Sequence, residues 1–86
     1  MYTVSYRASF VRQYDRLEEE LKEEVKEKLK LLRNKNNHER LRVHKLHGRF
    51  KKFWSFSVNY KMRIIFQFES DKELVIFDIG DHDVYK

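Results

Sequence analysis

Arg63 and His82 are the two side chains whose types and positions best suit acid–base chemistry on a phosphate. Arg63 lies within the apolar run 62–66, where a buried strand would carry a hydrophobic residue. A guanidinium group on an open strand face offers a planar fork of donors to phosphate oxygens, and the alternative is an ion pair with a nearby carboxylate. His82 follows the last apolar segment, and a histidine gives or takes a proton near neutral pH.

Three more side chains are candidates for the same site. Tyr85 can stack on a base or donate a hydrogen bond. His44 and His47 lie on either side of Lys45. The two-residue period of a strand points these two histidines to opposite faces, so at most one of them reaches a shared site. For each of the three candidates, a packing or surface role is the alternative.

Metal and cofactor chemistry is not indicated. The run Asp81-His82-Asp83 resembles metal-ligand spacing, but adjacent residues of an extended chain point apart, whereas a metal needs converging ligands. The chain has no cysteine, so it can form neither a thiolate site nor a disulfide. Gly-rich phosphate loops, a Ser-His-Asp order and paired zinc motifs are also missing. We therefore expect neither a metal nor a cofactor.

The basic residues are concentrated in one segment of the chain. Residues 34–63 contain nine Lys and Arg side chains against Glu39 alone, a net charge of +8, while residues 64–86 carry −4. Such a block is typical of a protein that binds a polyanion, most often nucleic acid, and the alternative is a solvated basic face. The residues predicted to bind nucleic-acid phosphates are Lys45, His47, Arg49, Lys51, Lys52 and Lys61.

The first part of the chain predicts a strand followed by helical structure. Residues 2–6 alternate apolar and polar side chains, which is the period of a strand. A helical segment then begins near Ser9, its predicted cap, and carries one apolar stripe at spacings of three and four. The stripe consists of Phe10, Tyr14, Leu17, Leu21, Val25, Leu29 and Leu32. The segment is either one helix or two with a break near 17–19, and the asparagine-rich run 34–37 ends it.

Four strands are predicted in the rest of the chain, at 43–47, 53–58, 62–68 and 74–79. A three-residue turn at 59–61 would place residue 58 opposite 62, 56 opposite 64 and 54 opposite 66, so that both apolar sets face the helices. Arg63 would then lie across from Ser57 on the other, partly polar face. The order β-α-α-β-β-β-β predicts an α+β fold with the helices on one face of the sheet.

The length and the termini suggest a simple organisation. A chain of 86 residues has room for one domain, which we expect to span 1–86. No apolar run approaches the ~18 residues of a membrane span, and the N-terminal residues lack the pattern of a signal peptide. We therefore expect a cytoplasmic protein with no membrane partner.

With these elements in place, the chain resembles the RelE/ParE toxin superfamily of bacterial and archaeal toxin–antitoxin modules along essentially its whole length. The resemblance rests on the first strand, the amphipathic helical segment and four blocks of sequence. These blocks are KLHG at 45–48, FWSFSV at 53–58, MRIIF at 62–66 and IGDHDVY at 79–85. The resemblance implies an α+β fold in which a helical hairpin packs against a curved antiparallel sheet.

The resemblance also implies an activity, a mechanism and partners. Many members are mRNA interferases, endoribonucleases that enter the ribosome and cut translated mRNA without a metal. In their reaction the ribose 2′-OH attacks the adjacent phosphate, and a general acid protonates the leaving 5′-oxygen. The implied partners are mRNA with the ribosome and its rRNA, and an antitoxin protein that neutralises the toxin.

Four residues take catalytic positions by this resemblance. Arg63 matches the strand arginine that steadies the scissile phosphate in RelE-like and YoeB-like members. His82 matches a C-terminal histidine that acts as acid or base in YoeB-like and YafQ-like members, and Tyr85 matches the C-terminal tyrosine. His44 falls where YafQ-like members carry a histidine, and either it or His47 would have to supply the general base.

The chain also departs from these patterns. Trp54 and Phe56 stand where RelE-like toxins have two lysines, and Ser57 and Lys61 stand where YafQ-like toxins have a histidine and an aspartate. Two alternatives therefore stay open. One is a ParE-like toxin that inhibits DNA gyrase and cuts nothing, and the other is a degenerate relative that only binds an antitoxin.

Overall fold

The computed structural model of the chain describes residues 1–81. Its strands are β1 (Thr3–Tyr6), β2 (His44–Lys45), β3 (Trp54–Ser57), β4 (Met62–Phe68) and β5 (Glu73–Asp81), and its α-helices are α1 (Ala8–Asp15) and α2 (Glu19–Leu32). Short 3₁₀ turns span Lys35–Asn37 and Gly48–Phe50. Two of the predicted site residues, His82 and Tyr85, lie outside the described residues. Within them, neither helix has the length and apolar character needed to span a bilayer.

The five strands form one mixed sheet in the order β1-β5-β4-β3-β2. Strands β2 to β5 pair antiparallel with their neighbours, while β1 adds to the outer edge of β5 in parallel. The predicted α+β fold, with an N-terminal strand and a helical hairpin against the sheet, is therefore confirmed. The expected antiparallel sheet is corrected in one respect, because β1 pairs in parallel with β5 and makes the sheet mixed.

The predicted register of the central hairpin is confirmed. Trp54 pairs with Phe66, Phe56 with Ile64, and Ser57 with Arg63. The register is completed at the turn, where the backbone N–H of residue 58 donates to the carbonyl of residue 62 at 2.9 Å. Because side chains alternate along a strand, this pairing puts Phe56, Ile64 and Phe66 on one face and Arg63 on the other.

The hydrophobic core lies between that apolar face and the two helices. Phe56, Ile64 and Phe66 are fully buried. They share one cluster with side chains from the predicted apolar stripe, among them Phe10 of α1 and Leu29 of α2. The apolar stripe of the helices therefore faces the core, as its spacing predicts. The helices cover one face of the sheet only.

The helical segment consists of two helices, one of the two predicted possibilities. Helix α1 ends at Asp15 and α2 begins at Glu19. The predicted capping role of Ser9 is wrong, because the cap position belongs to Arg7. Ser9 lies inside the first turn, and its hydroxyl instead donates to the carbonyl of Phe77 in β5 at 2.9 Å.

The strand predicted at 43–47 is reduced to two residues, His44 and Lys45. The chain then enters the 3₁₀ turn, where Gly48 has φ 67°. This left-handed backbone costs a side-chain-bearing residue ~1–2 kcal/mol, and glycine avoids the cost. The last strand is longer than predicted and continues to Asp81, so it extends past the end of β1.

Candidate active site

Arg63 lies on the sheet face that the helices leave uncovered. Its neighbours across the strands are Ser57 in β3 and Gly80 in β5. Ser57 is small and Gly80 has no side chain, so neither neighbour has a long side chain that could lie across the guanidinium group. None of the ion pairs found among residues 1–81 involves Arg63. Within that range, the predicted alternative of a carboxylate partner is therefore not observed.

His44 is the histidine that the structure brings to Arg63. It pairs with Ser55, so it belongs to the same sheet face as Ser57 and Arg63. Its ring Nε2 lies 3.5 Å from Nη1 of Arg63. His47 comes just before the 3₁₀ turn and is exposed, and no contact between it and Arg63 is found.

A backbone contact defines the proton arrangement of the His44 ring. Nδ1 of His44 lies 2.8 Å from the carbonyl oxygen of Arg42. A carbonyl can only accept, so Nδ1 carries the hydrogen and donates it. In the neutral ring the lone pair is then on Nε2, the atom that faces Arg63. The geometry presents a proton acceptor directly beside a cation.

Arg42 supplies that carbonyl from an unusual backbone conformation. Its φ is 61°, the left-handed region that few residues other than glycine adopt. Hydrogen bonds hold the segment in place, because the Arg42 N–H donates to the carbonyl of Glu39 and the Ser57 N–H donates to the carbonyl of Leu41. Arg42 is not among the residues predicted for the site, and no residue type around it signals this conformation.

A cavity of about 270 Å³ opens next to Arg63. Arg42, Ser57, Asn59, Tyr60 and Arg63 line it. Its lining combines two guanidinium groups, a hydroxyl, an amide and a phenol, with no carboxylate. Such a set of donors suits an anionic ligand.

The six residues predicted to bind phosphates are all exposed, but they do not form one cluster. Lys45 pairs with Trp54, so its side chain leaves the sheet on the face opposite to His44. Arg49 lies in the 3₁₀ turn with its guanidinium 5.1 Å from the ring centre of Phe50. Lys61 is in the turn between β3 and β4. The remaining members, Lys51, Lys52 and His47, are exposed in the connection between β2 and β3.

The aromatic side chains near the site pack within the protein. Trp54 makes an edge contact with Phe68 at 5.1 Å between ring centres, in agreement with its predicted place in the core. Phe53 makes a similar edge contact with Phe77 at 5.1 Å. On the sheet face that carries Arg63, Ser55 and Ile65 are buried. Solvent therefore reaches the centre of that face less than its partly polar sequence predicts.

Asp78 is a titratable group on the same face and is not among the residues predicted for the site. It pairs with Ile65. Burial raises the pKa of its carboxyl above the usual value, and a hydrogen bond from Gln13 partly offsets that effect. Among residues 1–81 no group of three His, Cys, Asp or Glu side chains could hold a metal ion. His82 and Asp83, which completed the resemblance to metal-ligand spacing, lie outside that range.

Comparison with known structures gives matches over nearly the entire chain. YafQ from Escherichia coli BL21(DE3) superposes with a TM-score of 0.77 at 17% identity, covering 98% of this chain and 97% of YafQ. A chain of the YoeB–YefM complex from Staphylococcus aureus has a TM-score of 0.73 at 15% identity, covering 95% and 98%. A chain of the toxin–antitoxin complex RelBE2 from Mycobacterium tuberculosis gives 0.71 at 17% identity, covering 94% and 98%. The TM-scores show a shared fold, and at these low identities the likeness shows the fold alone.

Family membership rests on the sequence. No curated protein matches the chain. The family model of the HigB-like toxins, described as the RelE-like toxin of the type II toxin–antitoxin system HigB, matches residues 5–82. That match includes both helices, the second half of β1, all of β2 to β5 and therefore both His44 and Arg63. The chain therefore belongs to the family of RelE-like toxins of type II toxin–antitoxin modules, within the superfamily that the sequence resembles.

Proposed function

We propose that this toxin is an mRNA interferase, a ribosome-dependent endoribonuclease that cuts translated mRNA without a metal. The observation that carries the proposal is the contact between His44 and Arg63. The Nε2 lone pair of His44 lies 3.5 Å from a guanidinium nitrogen on an uncovered sheet face. A proton acceptor and a phosphate-binding cation in contact are the two groups that cleavage by a ribose hydroxyl requires first.

The reaction has four linked changes. Nε2 of His44 accepts the proton of the ribose 2′-OH, and the 2′-oxygen forms a bond to the adjacent phosphorus. The bond from phosphorus to the 5′-oxygen breaks, and a general acid returns a proton to that oxygen. The products are a 2′,3′-cyclic phosphate and a 5′-hydroxyl. Arg63 stabilises the additional negative charge on the phosphoryl oxygens in the transition state.

The contact between Arg63 and His44 is long enough to be exchanged at little cost. At 3.5 Å it is weaker than a hydrogen bond of ordinary length. A phosphate oxygen is a charged acceptor and takes the guanidinium donors in preference to a neutral ring nitrogen. Substrate binding would therefore release the His44 lone pair at the moment when the reaction needs it.

The other proposed site residues complete the assignment. His82 is the proposed general acid, and Tyr85 is the alternative donor or a stacking partner for a base. The exposed basic residues named above would bind mRNA and rRNA phosphates, which makes binding weaker as salt increases. No cofactor takes part.

We infer that a cognate antitoxin binds this toxin. The support comes from two of the similar structures, in which the toxin chain was solved together with an antitoxin, YefM in one case and the partner in RelBE2 in the other. The proposed place of action for the toxin and its antitoxin is the cytoplasm.

Induced expression with primer extension on a reporter mRNA tests the activity. The wild type is compared with Arg63→Ala, His44→Ala and His82→Ala, and with Arg12→Ala, an exposed arginine of α1 that serves as the matched control. We expect cuts within translated codons for the wild type and Arg12→Ala, and strongly reduced cutting for the other three variants.

Other outcomes would contradict the proposal in distinguishable ways. Growth arrest without cuts would favour a ParE-like action on DNA gyrase. Neither arrest nor cuts would favour a toxin relative that only binds an antitoxin. Cutting that survives His44→Ala would leave the nuclease in place but remove His44 as the base.

A further inference from the structure

We propose that Arg42 and Tyr60 form a binding subsite for the nucleotide next to the scissile phosphate. Arg42 would bind the phosphate that neighbours the one on Arg63, and Tyr60 would stack on the adjoining base. The inference rests on the proposed function, since it assigns a substrate contact to the same site. Both residues line the cavity that Arg63 also lines.

The position of Arg42 connects it to the catalytic pair. Its carbonyl accepts from Nδ1 of His44, so its backbone is adjacent to the proposed base. Its side chain is exposed and enters none of the ion pairs found among residues 1–81. The cavity is therefore lined by two guanidinium groups, each of which can bind one phosphate of a strand.

Tyr60 is an exposed aromatic side chain on a well-held turn. It is 95% exposed, the most exposed of the large hydrophobic side chains in residues 1–81. Asn59 fixes the turn, because its side-chain oxygen accepts from the backbone N–H groups of Lys61 and Met62 at 2.9 and 2.8 Å. Its amide nitrogen donates to Glu24 of α2 at 2.7 Å. The turn is thereby tied to a helix.

A solvent-facing ring on a hydrogen-bonded turn, in the lining of a cavity with two guanidinium groups, suits single-stranded nucleic acid. Stacking of a base on an aromatic ring needs an unpaired base, because a base within a duplex is already stacked. Tyr6 offers a contrast within the same chain. It is half exposed, but its ring stacks on Phe10 at 5.6 Å, so its face is already occupied. We therefore assign the subsite to an unpaired RNA strand.

Binding of a non-cleavable RNA tests this subsite separately from cleavage. The probe is a fluorescein-labelled single-stranded hexanucleotide with 2′-O-methyl riboses, which lack the attacking hydroxyl, and the readout is fluorescence anisotropy at low salt. We expect Tyr60→Ala to weaken binding about tenfold and Tyr60→Phe to leave it nearly unchanged, because phenylalanine keeps the stacking face.

Arg42 is replaced by asparagine and by lysine. Asparagine accepts the left-handed backbone and retains the carbonyl that orients His44, so Arg42→Asn removes the guanidinium with little effect on folding. We expect about fivefold weaker binding for Arg42→Asn, partial recovery for Arg42→Lys, and a difference that shrinks as salt rises. Arg12→Asn, on exposed α1, is the matched control for the loss of one positive charge.

Three results would overturn the subsite. These are no binding of the probe by the wild type, equal effects of Arg42→Asn and Arg12→Asn, and wild-type binding by Tyr60→Ala. A wild type that binds the probe with the expected pattern but gives no cuts in the expression experiment would refute the nuclease and retain the RNA subsite.

Discussion

The two faces of the central hairpin differ in their side chains: one face is apolar, whereas the other is buried only at its centre and is polar and accessible towards the turn. On one face Phe56, Ile64 and Phe66 are fully buried under the helices. On the other face Ser57 and Arg63 are accessible, and His44 from the neighbouring strand is exposed. Because alternate residues of a strand point in opposite directions, adjacent positions in the sequence can serve stability and chemistry separately. This separation predicts that a change at residue 63 and one at residue 66 should affect different measurements.

Phe66→Ala is expected to have the largest effect on stability. Removing a fully buried phenyl ring eliminates its burial energy and leaves a cavity, which together cost about 3–5 kcal/mol. Urea unfolding followed by circular dichroism measures the change. A loss of less than about 1 kcal/mol in the free energy of unfolding would contradict the assignment of the main core to the helix-covered face.

Arg63→Ala should affect activity rather than stability. We expect cleavage to fall by about 10²–10³-fold, the usual cost of losing one group that stabilises transition-state charge. The free energy of unfolding should change by less than about 1 kcal/mol, because Arg63 has no ion pair among residues 1–81. Arg63→Lys retains the charge and separates the need for a cation from the need for a planar fork. If Arg63→Ala unfolded the protein as readily as Phe66→Ala, the division between the two faces would be wrong.

Ser55→Ala should change the stability of the fold only slightly, and in the direction opposite to the loss expected for Phe66→Ala. The Ser55 hydroxyl is fully buried, and within residues 1–81 its oxygen has no hydrogen-bond partner. Leaving a buried polar group unpaired costs free energy, so alanine is expected to be neutral or to stabilise the fold by up to about 1 kcal/mol. Thermal unfolding of both proteins measures this. A loss of more than 1 kcal/mol would indicate that the hydroxyl has a partner in solution.

The smallest expected effect is the pH dependence that Asp78 contributes. Burial raises the pKa of its carboxyl in the folded protein, so the folded state holds the proton more tightly than the unfolded state. Its contribution to stability is therefore fully present below the unfolded pKa of about 3.9 and is lost as pH rises through the higher folded pKa. Asp78→Asn should gain stability over the wild type at pH 7 but not at pH 3, as measured by urea unfolding at both values. If the variant and the wild type differed in free energy of unfolding by the same amount at both pH values, the raised pKa of Asp78 would be ruled out as the cause.

The sequence predicts most of the central hairpin because the apolar pattern is strong there. The parity of the apolar residues in 54–58 and 62–68, joined by a three-residue turn, leaves one register that buries both sets. The same alternation places Arg63 across from Ser57, as observed. The alternation also predicts that at most one of His44 and His47 shares the face of Arg63, but it does not identify which one. That choice depends on where β2 pairs with β3, and β2 has only two residues.

Features that depend on backbone conformation or on distant contacts were not predictable. No Gly or Pro marks the separation of α1 from α2, and Arg42 has no neighbour that signals a positive φ. Ser9 has the residue type of a helix cap, but its hydroxyl bonds to β5 instead. The cavity beside Arg63 is formed by the turn that carries Tyr60 and by the segment before β2, so it becomes visible only when these two loops are placed in space.

The placement of β5 between β1 and β4 has a consequence for how this toxin is made. The first strand pairs with the last described one, and the hydroxyl of Ser9 bonds to a carbonyl 68 positions further along the chain. Contacts of such long range form late in folding. During synthesis the chain emerges N-terminus first, so β1 and α1 have no sheet edge to join until β5 has been translated. The sheet that presents Arg63 is therefore completed only after β5 has left the ribosome, so the surface around Arg63 forms later than the segments that contribute to it are made.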